Sequence, residues 1–396
     1  MGEKVRVGLV YGGRSGEHEV SLQTALAVMK AFDYGKYEIK PFYISKAGEW
    51  RSGDVLLAPP ADLASLRLAG GAAVVGTEAL MPVFGGGAEQ EEQPAAKVSA
   101  VPAKATISAV SSAAGAMSAD GAPLDVVFPL LHGTFGEDGT IQGLFEMANI
   151  PYVGAGVLAS AVGMDKITMK KVFAQDGLPQ CVYRYFNRTQ WEKDEDYYIL
   201  EIETALGYPC FVKPANLGSS VGISKARNRE ELVDAVNFAL RFDRKVIVEE
   251  FVDAREIEVS VLGNDEPRAS VVGEITSSSE FYDYKAKYID GKSMMHIPAN
   301  LPAEVSEAVR EMAVRAFQAI DGSGLSRVDF FLRKEDNQLL INEVNTMPGF
   351  TPFSMYPLMW KESGVSYAEL LDTLIALAIS RHSEKQRIDF SGGSPA

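Results

Sequence analysis

Residues 327–345 read RVDFFLRKEDNQLLINEVN. RVDFFLR and LLINEVN are rich in Val, Ile, Leu and Phe, and KEDNQ between them is turn-like, the pattern of a β-hairpin. Side chains of a strand alternate faces with period two, so Arg327 and Asp329 share a face, and Glu343 and Asn345 share a face. With Lys334–Gln338 as the loop, Arg333 stands opposite Leu339, Asp329 opposite Glu343 and Arg327 opposite Asn345. A slip of one residue would scatter all four. Two facing carboxylates and an amide oxygen repel one another or lose hydration unless a positive charge lies between them. Oxygen-only donors suit a hard cation, and Mg²⁺ takes one or two carboxylates together with phosphate oxygens. An edge hairpin whose polar face meets water would also fit, and this segment leaves both readings open.

The rest of the chain narrows the choice. At 396 residues it exceeds one ordinary core, so two or three domains are expected. The balance of 38 basic to 53 acidic residues, a net charge of −15, argues against a nucleic-acid partner, which needs a basic surface. A local lysine cluster for an anionic ligand remains compatible with it. Cys181 and Cys210 sit among apolar residues or Pro and read as buried thiols, with no zinc or disulfide spacing. The N-terminus opens directly on a strand with no signal-peptide core, and no apolar run is long enough for a bilayer. The expectation is a cytoplasmic protein with no membrane partner.

VRVGLVYGG (5–13), the helical SGEHEVSLQTALAVMKAF and the strand YEIKPFYIS (37–45) run strand, helix, strand, the order of an open α/β sheet. Ser15 offers a helix cap, and Val20, Ala27 and Val28 an apolar side. DVVFPLLHG (125–133) is a further strand leading into a Gly-rich loop and a helix. Residues 85–122 hold no aromatic side chain and are dominated by Ala, Ser, Gly, Glu and Pro, which predicts a flexible insertion. The expected division is an N-terminal α/β domain over 1–160, a central domain over 161–252, a C-terminal domain over 253–380 and a frayed polar tail over 381–396.

Several short motifs carry chemistry. GGRSGEHEVS (12–21) sets a Gly-rich turn before a helix, where backbone N–H groups favour an anion or carboxylate; Glu17 could instead hold an ammonium, or simply be solvated. PANLGSSVGIS (214–224) is a Gly/Ser flap of donors between two strands, able to cover phosphates or to be a plain hairpin tip. Lys213 stands just before it, on a strand, where an inward ammonium needs a partner. VIVEEFV (246–252) ends an apolar strand with acids, as an adenine and ribose slot would or as a surface strand end would. EFYDYKAKY (280–288) packs three Tyr and two Lys into a loop that reads as a lid or as a solvated segment. GAGVLA (154–159) matches the loose G-x-G-x-x-A dinucleotide pattern, but in mid-chain after a Pro-interrupted strand. It would support a nicotinamide-dependent oxidoreductase, which gives no reason for Asp329, Glu343 and Asn345 to converge. A non-catalytic nucleotide-binding module would keep Lys213 and Glu249 without needing Glu17 or Arg327.

The order of these motifs is more specific than any one of them. GGRSGEHEVS, LHGTFGEDGTIQG, MDK, VKPANLGSSVGIS, VEEFV, EFYDYKAKY, RVDFF and INEVNTMPGFTPFSMYP together resemble the D-alanine–D-alanine ligase family of the ATP-grasp superfamily, from about residue 5 to 375. The resemblance implies a three-domain α/β architecture. An N-terminal open sheet is followed by two α+β domains that sandwich ATP. It implies ATP-dependent joining of two D-alanine molecules through an acyl phosphate, for peptidoglycan synthesis. Asp329, Glu343 and Asn345 would hold two Mg²⁺ ions, with Mn²⁺ as a substitute. Arg327 and the N–H of Gly349 would stabilise the tetrahedral intermediate. Lys166, Lys213, Ser220 and Lys287 would contact ATP phosphates, and Glu249, Phe251, Val252 and Glu256 its adenine and ribose. Glu17, with His132 nearby, would anchor the first D-alanine, and Glu17, Ser219 and Tyr288 would close the lid over it. Ser354 would take the second carboxylate. Met355 stands where Leu is common, which bears on selectivity there. Relatives that use D-lactate or D-serine are the nearest alternatives, and Tyr288 favours an amine over D-lactate. A homodimer through the N-terminal region is also implied.

Overall fold

Strand β1 (Val5–Gly12) pairs in parallel with β2 (Tyr37–Ile44), and helix α1 (His18–Ala31) makes the crossover between them. The sequence dictates this turn closely. Gly12 has φ +96°, and a Cβ there would come within 2.2 Å of the Ile44 carbonyl oxygen, so only glycine leaves β1 along this path. Strand β3 (Trp50–Ser52) runs antiparallel on the outer edge, and β4 (Val126–Leu130) joins the inner edge in parallel, for the order β3-β2-β1-β4. Helix α2 (Thr140–Met147) covers one face.

The computed structural model describes residues 4–68, 124–218, 221–276 and 294–389. The 85–122 insertion and the expected site residues Ser219, Ser220, Lys287 and Tyr288 lie outside them.

Helices α3 (Val157–Met164) and α4 (Lys166–Gln175) lead into the second unit. Its sheet holds β5 (Tyr183–Asn187), β6 (Cys210–Pro214), β7 (Ser224–Ala226) and β8 (Lys245–Glu250) in the order β5-β8-β6-β7, all antiparallel. Helices α5 (Arg188–Lys193), α6 (Glu195–Ala205) and α7 (Arg229–Ala239) seal one face through Val212, Val246 and Val248. The opposite face carries Lys213, Ile247 and Glu249.

The third unit is a five-stranded antiparallel sheet in the order β11-β10-β9-β12-β13. It contains β9 (Ala254–Gly263), β10 (Arg268–Thr276), β11 (Met294–His296), β12 (Gly324–Arg333) and β13 (Leu339–Asn345). Helix α8 (Ala303–Ala319) buries Val328, Phe330, Leu332, Ile341 and Val344 on one face. Period two therefore sends Arg327, Asp329, Glu343 and Asn345 to the other face.

The hairpin register holds where it matters and differs at the turn. Arg327 pairs with Asn345 and Asp329 with Glu343, as expected, but Leu332 rather than Arg333 faces Leu339. The loop is one residue shorter than Lys334–Gln338, since Arg333 N–H donates to Gln338 O and Asn337 takes φ +56°. A bulge at Asn342 restores the lost residue before the polar cluster.

Helices α9 (Met355–Glu362) and α10 (Tyr367–Lys385) close the chain. Tyr356, Trp360, Leu370, Leu374 and Ile375 complete the core of the N-terminal sheet, around Phe128 and Phe350. The polar tail begins later than residue 381. Helix α10 runs to Lys385, and half-buried Arg381 donates to the carbonyls of Tyr152 and Gly154 and to Ser323 Oγ. No described helix is by itself long and apolar enough to cross a membrane.

Candidate active site

A cleft of about 480 Å³ lies where the three units meet, and of the expected residues it gathers His132, Lys166, Arg327, Glu343, Asn345, Gly349, Ser354 and Met355. On the third sheet the register sets three carboxylates abreast: Glu258 on β9, Asp329 on β12 and Glu343 on β13. The positive charge that such a row demands comes from the protein. Arg327 donates through Nε and Nη2 to Oδ1 and Oδ2 of Asp329, 2.7 Å each, and its Nε lies 3.0 Å from Glu258 Oε2. Burial alone would lower the pKa of this guanidinium, but Asp329 and Glu258 raise it well above its ordinary value. Lys166 Nζ lies 3.5 Å from Glu343 Oε2 and donates to Leu217 O. Asn345 Oδ1 accepts from Met347 N–H.

Among the described residues no three His, Cys, Asp or Glu side chains form a ready-made metal cage. Asp329, Glu343 and Asn345 nevertheless offer two carboxylates and an amide oxygen from one hairpin. That is an incomplete oxygen set of the kind Mg²⁺ completes with phosphate oxygens. Glu258 was not anticipated from the sequence. Its signal was an acid inside the apolar run IEVSVLG, but its place beside Asp329 depends on β9 and β12 being neighbours. Glu256 shares its face, two residues away, and is half-buried.

The N-terminal wall centres on His132, which is buried with Thr24 Oγ1 3.2 Å from Nε2. Nδ1 lies 3.2 Å from Met347 O and 3.4 Å from Glu137 Oε1. Burial disfavours the imidazolium, yet the Glu137 carboxylate more than offsets this and raises the pKa of His132. Burial pushes Glu137 up to about 7, helped by the charge of Glu17 and opposed by His132. Glu137 was also missed, though GEDG in a Gly-rich loop is its signal. Glu17 enters from the loop before α1. Gly133, with φ +74°, brings its loop against that carboxylate, and a Cβ there would stand 2.6 Å from Glu17 Oε2; Gly218 lies on the other side, where a Cβ would make an ordinary 3.4 Å contact.

At the far end, Ser354 precedes α9 with its Oγ bonded to Thr351 rather than to the helix. The helix N-terminus favours an anion there. Gly349 approaches closely, because a Cβ on it would stand 3.1 Å from Ser354 Oγ. Met355 is buried against Ile275 and Met359.

On the opposing wall Glu249 is buried between two ammoniums, Lys170 at 3.0 Å and Lys213 on the other oxygen. Burial would raise its pKa, but the two lysines hold it at about 2. Phe251 is 41% exposed at the strand end, with Lys225 over its ring, and Val252 is half-buried beside it.

Two antiparallel sheets after an N-terminal α/β sheet, one with a row of acids and one with buried lysines, are the architecture of ATP-grasp ligases. The family profile described as D-ala D-ala ligase N-terminus matches residues 6–155, and that described as D-ala D-ala ligase C-terminus matches residues 172–376. The chain belongs to the D-alanine–D-alanine ligase family. It is 54% identical over 386 residues to the D-alanine–D-alanine ligase of Bacillus licheniformis, covering 97% of this chain and 99% of that protein. It is 52% identical over 388 residues to the ligase of Bacillus cytotoxicus, covering 98% and 99%. The solved D-alanine–D-alanine ligase of Coxiella burnetii superposes with a TM-score of 0.75 at 33% identity, covering 98% and 97%. The VanG D-Ala:D-Ser ligase of Enterococcus faecalis superposes with 0.76 at 34%, covering 95% and 100%. The nicotinamide alternative fails here: Gly154 of GAGVLA packs on Met347 and Leu325, and its carbonyl is held by Arg381.

Proposed function

We propose that this chain joins two D-alanine molecules into D-alanyl-D-alanine with conversion of ATP to ADP and phosphate, supplying a peptidoglycan precursor. The observation that carries this reading is the meeting, at one cleft, of the buried His132–Glu137 pair with Glu17 beside it, the oxygen donors of Glu258, Glu343 and Asn345, and the helix start at Ser354.

The first D-alanine is held by its ammonium at Glu17, beside the proton-sharing pair of His132 and Glu137. Its carboxylate oxygen attacks the γ-phosphorus of ATP, ADP leaves and an acyl phosphate forms. Lys166, Lys213 and Lys287 neutralise the phosphates, and Ser220 donates to them. Glu249, Phe251, Val252 and Glu256 surround the base and ribose. Asp329, Glu343 and Asn345 would hold Mg²⁺ (two ions, replaceable by Mn²⁺), which would supply Lewis-acid polarisation of the phosphates. Ser354 and the start of α9 take the carboxylate of the second D-alanine, whose amine attacks the acyl carbon. Arg327 and the Gly349 N–H stabilise the oxyanion of the tetrahedral intermediate, which collapses with loss of phosphate. Ser219 and Tyr288 join Glu17 in closing the first subsite. The enzyme works in the cytoplasm as a homodimer, a state that light scattering would measure.

The test supplies Mg·ATP with D-alanine, D-lactate, D-serine and L-alanine, singly and in pairs, and follows phosphate release with products identified by mass. The dipeptide from D-alanine alone is the expected result. Release only with D-serine or D-lactate would relocate the error to the second subsite around Ser354 and Met355. No release with any of them would refute the ligase reading.

A further inference from the structure

The lysine–glutamate cluster on the β8 wall has a charge that the roles above leave unexplained. Lys170, on α4, is 1% exposed, and its Nζ lies 3.0 Å from Glu249 Oε1 and 3.7 Å from Cys181 Sγ. Lys213, on β6, takes the other carboxylate oxygen. Burial pushes the Cys181 thiol up, so it stays neutral and adds no charge. Among the described residues Glu249 is the sole carboxylate within ion-pair distance of either lysine. Two ammoniums and one carboxylate leave a buried excess of one positive charge. An uncompensated buried charge is costly, and a site that carries one is poised for an anion.

The geometry shows which lysine keeps the excess. Lys170 is sealed where α4 packs on this face of the sheet, next to Cys181 and under the Tyr183 ring. Lys213 keeps 12% of its side chain exposed and leads into the segment whose Leu217 and Gly218 line the cleft. Without Lys170, Glu249 and Lys213 would form a neutral one-to-one pair, and a ligand phosphate would have to break it.

We propose that Lys170 is a positioning residue for nucleotide recognition: it neutralises Glu249 through the oxygen that Lys213 does not take and so leaves the charge of Lys213 available to a ligand phosphate. This rests on the nucleotide reading given above. It predicts a dependence on phosphate that a purely structural lysine would not produce.

The test measures binding of ADP and of adenosine to the full chain, by displacement of a fluorescent ADP analogue. Lys170→Met keeps the length of the side chain and removes its charge. It should weaken ADP about tenfold or more, while adenosine changes by less than about twofold. The double variant K170M/E249Q removes both charges and leaves Lys213 free, so its ADP-to-adenosine ratio should return to within about threefold of wild type. ADP binding unchanged in Lys170→Met would overturn the proposal. So would equal loss of ADP and adenosine with no recovery in the double variant, which would mark Lys170 as a structural residue only. Wild-type protein that bound no ADP would overturn the nucleotide reading itself and this proposal with it.

Discussion

Glu137→Gln tests the electrostatics of the His132 pocket. Glu137 titrates near 7 instead of at its ordinary 4.5, because burial and the charge of Glu17 outweigh His132. A carboxyl with a raised pKa keeps its proton in the folded protein while the unfolded chain has released it. Its contribution therefore favours folding less as pH rises from about 4.5 to about 7. His132, also raised, acts in the same direction at the upper end of that window. A shift of about 2.5 units corresponds to roughly 3 kcal/mol at full effect. Gln removes the titration and preserves the shape. Groups held low, such as Glu249, change only at more acid pH and do so equally in both proteins. Thermal unfolding from pH 5 to pH 8 should therefore show wild type losing about 3 °C relative to Glu137→Gln, since a chain of this length unfolds with an entropy of roughly 0.8 kcal/mol/K. Curves that ran parallel within about 1 °C would refute the claim that Glu137 is buried and protonated near neutrality.

Three further outcomes follow from the same geometry. Glu343→Gln removes the carboxylate facing Asp329 and Lys166, and turnover at ordinary Mg²⁺ should fall by about a hundredfold with the melting temperature kept. Weaker Mn²⁺ binding by electron paramagnetic resonance should accompany it, and near-normal turnover would exclude the metal assignment. Glu258→Gln leaves Arg327 with Asp329 alone, so the guanidinium competes harder for that carboxylate. The Mg²⁺ concentration for half-maximal rate should rise several-fold, on the order of 1 kcal/mol of added competition, and an unchanged requirement would argue against it. Phe350→Ala empties a buried position among Phe128, Tyr356 and Tyr367, and denaturant unfolding should report a loss of about 3–5 kcal/mol; a loss under about 1 kcal/mol would mean that this junction collapses without cost.

Local pattern carried much of the molecule. The alternation in RVDFFLR and LLINEVN placed Asp329 opposite Glu343 and sent both away from the core, because strand periodicity is written residue by residue. The loop count was one too long, and the bulge at Asn342 cancelled the error before the site. Nothing in the local pattern announces a bulge, since it reflects how the sheet twists against its neighbours. Glu17 stood out as an acid in a Gly-rich turn before a helix, whereas His132 and Ser354 came from the family resemblance alone.

Other features depended on which elements became neighbours. Glu258 meets Asp329 because β9 lies beside β12, and Lys170 meets Glu249 across 79 residues of chain because α4 packs on β8. Arg381, which composition alone placed in a frayed tail, is fastened by carbonyls from two distant loops. The sequence by itself determined the elements, their buried faces and the kinds of side chain offered to the cleft, since those follow from periodicity and local backbone chemistry. Only the tertiary structure decided which charges share a partner, because the energy of a buried charge depends on everything packed around it, and that set is assembled by strand order and helix packing.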